Sequence, residues 1–231
     1  FDLPNIAERR KMWQLHMGPL KVGKAVSLNK LAERSAGLSG ADIRNACNAA
    51  ATLALRTSDI PKLTTRSLES AIDEVAMGRV KRERMLQPNE RERVAYHEAG
   101  HALMSCLLKE ANAPLQVSIV PRGEAALGFS QEQSDDAKIH TRGRILAHIA
   151  VLLGGRAGEM ERFGDVSTGA SDDIERASGL AWRYIAVWGM CDEHGPFNPS
   201  MIGGTTHHHS NEEKARRLLK KIEDAVARLM Q

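Results

Sequence analysis

At 231 residues the chain is long enough for one large or two modest domains with real cores, and its 42% hydrophobic and 26% charged content excludes wholesale disorder. A net charge of +3, drawn from 32 basic and 29 acidic residues, leaves no nucleic-acid footprint. Cys47, Cys106 and Cys191 form no C-x-x-C pair, which excludes a disulfide framework and a cysteine zinc site and fits a reducing compartment.

The first eighty or so residues read as four short amphipathic helices. Pro4 suits the first turn of a helix carrying Ile6, Trp13 and Met17, which Gly18-Pro19 stops. Ser27 can cap a second helix that buries Leu28, Leu31 and Ala32. Ser39 opens a third, with Asp42 in the reciprocal capping position and Ile43, Ala46, Cys47, Ala50 and Ala54 as its apolar stripe. A fourth follows Thr64-Thr65 through Leu68, Ala71, Ile72, Val75 and Ala76. The basic run Arg79–Arg84 reads as a solvated linker, placing a domain boundary at 82/83.

After Pro88 a longer helix begins, uninterrupted by proline from Arg91 to Ala111, with Leu103, Met104, Leu107 and Leu108 continuing its apolar run. Strands are expected at Val117–Val120 and Leu127–Ser130, with Pro121-Arg122-Gly123 turning between them. Arg144–Phe163 is apolar nearly all round, as a central core helix is. Another helix is expected from about Ala170 to Trp188, with Ile174, Ala177, Ala181, Tyr184 and Trp188 as its stripe. Met201–Ser210, which contains His207-His208-His209, reads as a solvated loop. Ser210 and Glu213 then form a capping box for a last helix bearing Leu218, Ile222, Ala225 and Leu229. The fold class is mainly α with a small β-sheet, a helical bundle over 1–82 and a mostly helical domain over 83–231. No apolar stretch reaches the length of a membrane span, and the chain opens on Phe1-Asp2-Leu3-Pro4 rather than a signal peptide. The expectation is a soluble piece of a longer protein.

Within the longer helix stands His97-Glu98-Ala99-Gly100-His101. Helix positions i and i+4 lie about 40° apart around the axis and roughly 6 Å along it, so two imidazoles can reach one ion. Zinc held by His97 and His101 polarises a water, and Glu98 is placed to take its proton and return it to a leaving amine. This is the chemistry of peptide hydrolysis. Gly100, at a helix-interior cost of about 1 kcal/mol relative to alanine, predicts close approach of a neighbouring backbone.

A catalytic zinc takes three protein ligands, so a third residue is needed. His148 reads as a packed or polar-face histidine. Glu159 shares a helical line with Leu152 and Phe163 and is the runner-up. Of the adjacent acids, Asp172 shares its line with Arg176 and Arg183, a solvated face with an i,i+4 ion pair. Asp173 shares its line with Ala177, Leu180 and Tyr184 and faces the core, where a carboxylate is costly unless a metal compensates it. Asp173 is therefore favoured.

Together these residues resemble the M41 family of membrane-anchored, ATP-dependent zinc metalloproteases, the FtsH type. Ser39-Gly40-Ala41-Asp42-Ile43 with Asn45, Cys47 and Asn48 looks like that family's AAA lid, and His97–His101 like its peptidase motif. Val120–Gly123, Gly154–Ala157 and Ser167–Asp173 match further blocks. The resemblance implies a zincin-like peptidase domain, zinc on His97, His101 and Asp173, Glu98 as general base, and Gly40 and Ala41 near a nucleotide bound by an ATPase core. It also implies polypeptide substrates, a homohexamer and a parent protein on the cytoplasmic face of a membrane. No G-x-x-x-x-G-K-[ST] loop occurs, so ATP and Mg²⁺ belong to the parent protein and not to this chain alone. Ala157-Gly158-Glu159-Met160-Glu161 departs from the family's paired acids, and His207–His209 has no family counterpart.

Two rival readings remain at this level. One is an assembly module with impaired peptidase activity that docks a partner ATPase. The other is a structural zinc site, which four closed protein ligands would mark, whereas three are found. Substrate could add along Leu127–Ser130 by main-chain pairing.

Overall fold

The chain folds mainly into helices with one two-stranded sheet, in a computed structural model that describes residues 2–18, 20–23, 25–57, 62–77, 87–120, 128–132, 139–192 and 205–230. Outside the described residues lie Pro19, the basic run Arg79–Arg84 with the expected boundary, the turn Pro121-Arg122-Gly123, Leu127, and 201–204. Helices α1 (Ile6–Met17), α2 (Leu28–Arg34), α3 (Gly40–Thr57) and α4 (Thr65–Met77) belong to one compact unit. Helix α5 (Pro88–Leu107), strands β1 (Pro114–Ser118) and β2 (Phe129–Glu132), and helices α6 (Arg142–Phe163), α7 (Ser171–Trp182) and α8 (Thr205–Met230) belong to a second.

Local chemistry sets the helix starts in the first unit. Asn5, not Pro4, caps α1: its side chain accepts from the Glu8 amide while Glu8 reaches back to the Asn5 amide, so Pro4 lies ahead of the cap. Ser27 caps α2 as expected. Ser39 and Asp42 bond reciprocally ahead of α3, and hydrogen bonds from Ser39 hold the Asp42 carboxyl below its usual range. Trp13, Leu31, Ile43, Ala46, Cys47, Leu68 and Ile72 make the core of this unit. Ala76, placed on the α4 stripe by spacing, is exposed. Arg9 is almost wholly buried, its Nε donating to the Ala32 carbonyl at 2.8 Å and its Nη1 to the Pro4 carbonyl at 2.8 Å.

In the second unit α6 is the central element, with Ile145, Ala147 and every residue from Ile149 to Gly155 buried. Thr141 caps it, and Gly164 closes it in the left-handed region at φ 64°, a conformation glycine adopts without a Cβ penalty. Proline at the first position of α5 costs no hydrogen bond, because that amide has no intrahelical partner. The strands pair antiparallel, with Val117 opposite Ser130 and Ser118 opposite Phe129. Both strands are offset from their expected positions, β1 toward Pro114 and β2 toward Glu132, because the pairing register rather than local apolarity fixes their ends.

A 3₁₀ turn, Thr168–Ala170, leads into α7, whose end widens into a π-helical turn over Arg183–Val187. Ala177, Ala181 and Tyr184 are buried as expected, but Ile174 and Trp188 are exposed. Leu103 and Leu107 of α5 are exposed as well, leaving Met104 as the buried member of that run. The expected loop Met201–Ser210 needs correction: Thr205–Ser210 are helical, and Ser210 lies inside α8 instead of capping it. Threonine and histidine cost only a few tenths of a kcal/mol in a helix, so α8 extends back to the residue after Gly203-Gly204. Its inward face runs through Asn211, Ala215, Leu218, Ile222 and Val226, while Leu229 is half exposed. No helix among the described residues is long and apolar enough to cross a membrane.

Candidate metal centre

Glycine contacts bring α5 and α6 together and build the floor of the site. A Cβ on Gly154 would stand 2.7 Å from the Gly100 carbonyl oxygen, and one on Gly158 2.6 Å from that of Tyr96, so the two backbones touch there. This is the close approach that Gly100 predicted. Beside it, a Cβ on Gly155 would fall 2.5 Å from His101 Nε2 and 2.6 Å from His97 Nε2. The absence of a side chain at 155 leaves room for both rings.

His97 and His101, one turn apart on α5, are both buried, their ring centroids 4.7 Å apart and planes at 80°. Each ring is fixed through Nδ1. His97 Nδ1 meets Glu159 Oε1 at 2.8 Å, and His101 Nδ1 meets the Val151 carbonyl at 2.7 Å. With Nδ1–H donating outward, both Nε2 atoms face the same point, 3.1 Å apart. Asp173, in the first turn of α7, completes the group: its Oδ2 lies 3.1 Å from His97 Nε2 and 3.3 Å from His101 Nε2. These three are the group among the described residues whose ligand atoms converge as a metal requires.

Electrostatics in the group is strongly coupled. Burial alone would raise the Asp173 carboxyl, but hydrogen bonds to His101 and His97 outweigh it and hold the group well below the usual carboxylate range. Burial would lower His97, yet Asp173 and Glu159 pull it above its ordinary value. Glu98 is buried next to the pair, and burial pushes its carboxyl upward against the opposing imidazoles of His101 and His97. Its Oε1 faces Gly128, at the entrance to β2, where a Cβ would come within 2.8 Å.

The other acids and histidines considered from sequence lie elsewhere. Glu159 approaches the outer nitrogen of His97, so it supports that ring and does not join the convergent atoms. Asp172 is exposed and sits 3.6 Å from Arg176, the surface pair that spacing indicated. His148 is half-buried on α6, outside the group, and burial with nearby Arg176, His140 and Arg144 lowers its imidazole. Gly40 and Ala41 stand at the start of α3 in the first unit, Ala41 exposed. Spacing did not reveal the partners of Glu159, namely Arg93 and Ser167, because they come from different elements.

The profile of peptidase family M41 matches residues 84–231. The chain belongs to peptidase family M41. Residues 25–70 match the AAA+ lid domain. An ATP-dependent zinc metalloprotease FtsH from Thermus thermophilus is 40% identical over 235 residues, covering 100% of this chain and 37% of the relative. The protein of the same name from Syntrophobacter fumaroxidans is 41% identical over 196 residues, 84% of this chain and 30% of its own. ATP-dependent zinc metalloprotease FtsH 3 of Sphaerobacter thermophilus is 43% identical over 189 residues, 82% and 38% respectively. This M41 chain thus spans about a third of the length of these relatives.

Proposed function

We propose that residues 83–231 are the zinc-dependent endopeptidase portion of an ATP-dependent, membrane-associated protease, and that 1–82 are the helical lid of its ATPase. In this reading His97, His101 and Asp173 hold the zinc and Glu98 is the general base. The observation that carries it is a fit. Three donors bound at about 2.0–2.1 Å in a tetrahedron stand about 3.3–3.4 Å from one another. The three separations here are 3.1, 3.1 and 3.3 Å. Two imidazole nitrogens and one carboxylate are a donor set zinc accepts, and the fourth position is left for water.

A zinc ion bound there supplies Lewis acidity to the water and to the substrate carbonyl. The chain's own residues do the rest. Glu98, buried and pushed toward a higher pKa, is suited to accept a proton from the attacking water and to deliver it to the leaving amine nitrogen. Glu159 and the Val151 carbonyl hold both imidazoles with Nε2 inward, so no reorganisation is needed at those rings. An extended polypeptide pairing its main chain along β2 passes Gly128 and so reaches Glu98.

The parent protein is read as a homohexamer at the cytoplasmic face of a membrane, with unfolded or membrane proteins as substrates. Its ATPase core binds nucleotide near Gly40 and Ala41. The scaffold alternative is not favoured, because the donor set and the base are complete. The test is cleavage of unfolded casein by the zinc-loaded chain beside its Glu98→Gln variant. Cleavage by the parent chain and a loss of at least about 100-fold in the variant are expected; equal cleavage by both would remove Glu98 from the chemistry.

A further inference from the structure

We infer that Arg93 is a positioning residue of the metal centre, acting through Glu159 on both sides of the donor set. This inference rests on the metal reading above. Glu159 is 1% exposed, and four contacts hold its carboxyl group. His97 Nδ1 lies 2.8 Å from Oε1, the Ser167 hydroxyl donates to Oε1 at 3.0 Å, the Ser167 amide donates to Oε2 at 2.8 Å, and Arg93 Nη1 donates to Oε2 at 3.1 Å. Arg93 is the cation among them, so it supplies the charge compensation that a buried carboxylate needs.

Its placement joins α5, which carries His97 and His101, to Glu159 of α6 and to the corner that leads into α7 and Asp173. Arg93 sits on α5 one turn before His97, and its Nη1 also donates to the Asp165 carbonyl at 3.3 Å, on the corner between α6 and α7. The guanidinium stacks on the Phe163 ring at 4.6 Å, which restricts its rotamers. Ser167, on the same corner, caps the 3₁₀ turn that opens into α7 and hence into Asp173. The Arg93–Glu159–Ser167 cluster therefore sets the position of the Asp173 helix relative to His97 and fixes the carboxylate plane against Nδ1.

Arg162 provides a matched control. It shares the Phe163 ring with Arg93, at 5.8 Å, lies 5.3 Å from the Tyr96 ring, and bridges to Glu92 of α5 at 3.0 Å. It makes no hydrogen bond to Glu159, whose partners are Arg93, His97 and Ser167. The experiment compares the zinc affinity of the parent chain, Arg93→Leu, Arg93→Lys and Arg162→Leu by competition with a chromophoric chelator, alongside the thermal midpoint of each metal-free protein. Arg93→Leu is expected to bind zinc about 10-fold more weakly or worse, in line with other outer-shell substitutions. Arg93→Lys should fall between, and Arg162→Leu should match the parent even if its midpoint drops. Parent-like affinity in folded Arg93→Leu, or equal weakening in Arg93→Leu and Arg162→Leu, would overturn the inference while leaving the metal site standing. A parent chain that binds no zinc would instead overturn the metal reading, and this inference with it.

Discussion

Replacing Gly155 with alanine separates the demands of the helix from those of the donor set. In a helix interior the change should be favourable by about 0.5–1 kcal/mol, because glycine pays more backbone entropy. The site opposes it. The new Cβ would stand 2.5–2.6 Å from the Nε2 atoms of His101 and His97, about 0.9 Å inside ordinary van der Waals contact. The rings cannot yield freely, since Glu159 and the Val151 carbonyl hold their Nδ1 atoms at 2.8 and 2.7 Å. Metal–ligand distances tolerate about 0.2 Å, so a displacement several times larger removes at least one bond to the ion. Zinc affinity should fall by about 100-fold or more, near 2.7 kcal/mol, with the helical circular-dichroism signal retained. Competition with a chelator measures this directly. Parent-like affinity in Gly155→Ala would refute the convergence of the two rings on a single metal.

Two further outcomes follow from named contacts. Glu159→Gln preserves shape but removes the charge that fixes the His97 ring, and should weaken zinc binding by about 10- to 100-fold in the same titration. Burial pushes the Cys47 thiol up to about 11, above an ordinary value near 8.5. Because the folded state binds this proton more tightly, its stabilising contribution is complete below about pH 8.5 and is lost as pH rises toward 11. The urea midpoint should therefore decline across that window with a shallower slope in Cys47→Ala, and at pH 8 a thiol reagent should label exposed Cys106 promptly but Cys47 only on unfolding. Parallel slopes in the two proteins, or prompt labelling of Cys47, would contradict the burial argument.

Helical periodicity carried much of the fold. The stripe of α3, the all-round apolarity of α6, the cap at Ser27 and the capping pair at Ser39 depend on residues within a turn or two of each other, and such interactions are written locally. The assignments that went astray depend on other elements. Pairing register sets the strand ends. The burial of Arg9, on which spacing gives no reading, comes from the Ala32 and Pro4 carbonyls that converge on it. Ser210 and Glu213 have capping spacing, but a capping pair does not stop a helix that begins five residues earlier.

Legibility of the site divides in the same way. The spacing of His97 and His101 and the inward line of Asp173 are properties of single helices. Burial of Glu159 was equally readable from its line with Leu152 and Phe163. Its role was not, because that depends on which nitrogen of a ring on α5 it faces. Arg93 and Ser167 are distant in sequence from that carboxylate or lie beyond the end of its helix, so only the folded chain shows them together.

The central claim is the three-residue donor set, and zinc stoichiometry tests it most directly. The parent chain, Asp172→Ala and Asp173→Ala should each be loaded with zinc, dialysed against a weak chelator, and assayed for metal per chain. One zinc per chain is predicted for the parent and for Asp172→Ala, whose carboxylate only pairs with Arg176 on the surface, and loss of zinc for Asp173→Ala. Full zinc occupancy in Asp173→Ala would contradict the account.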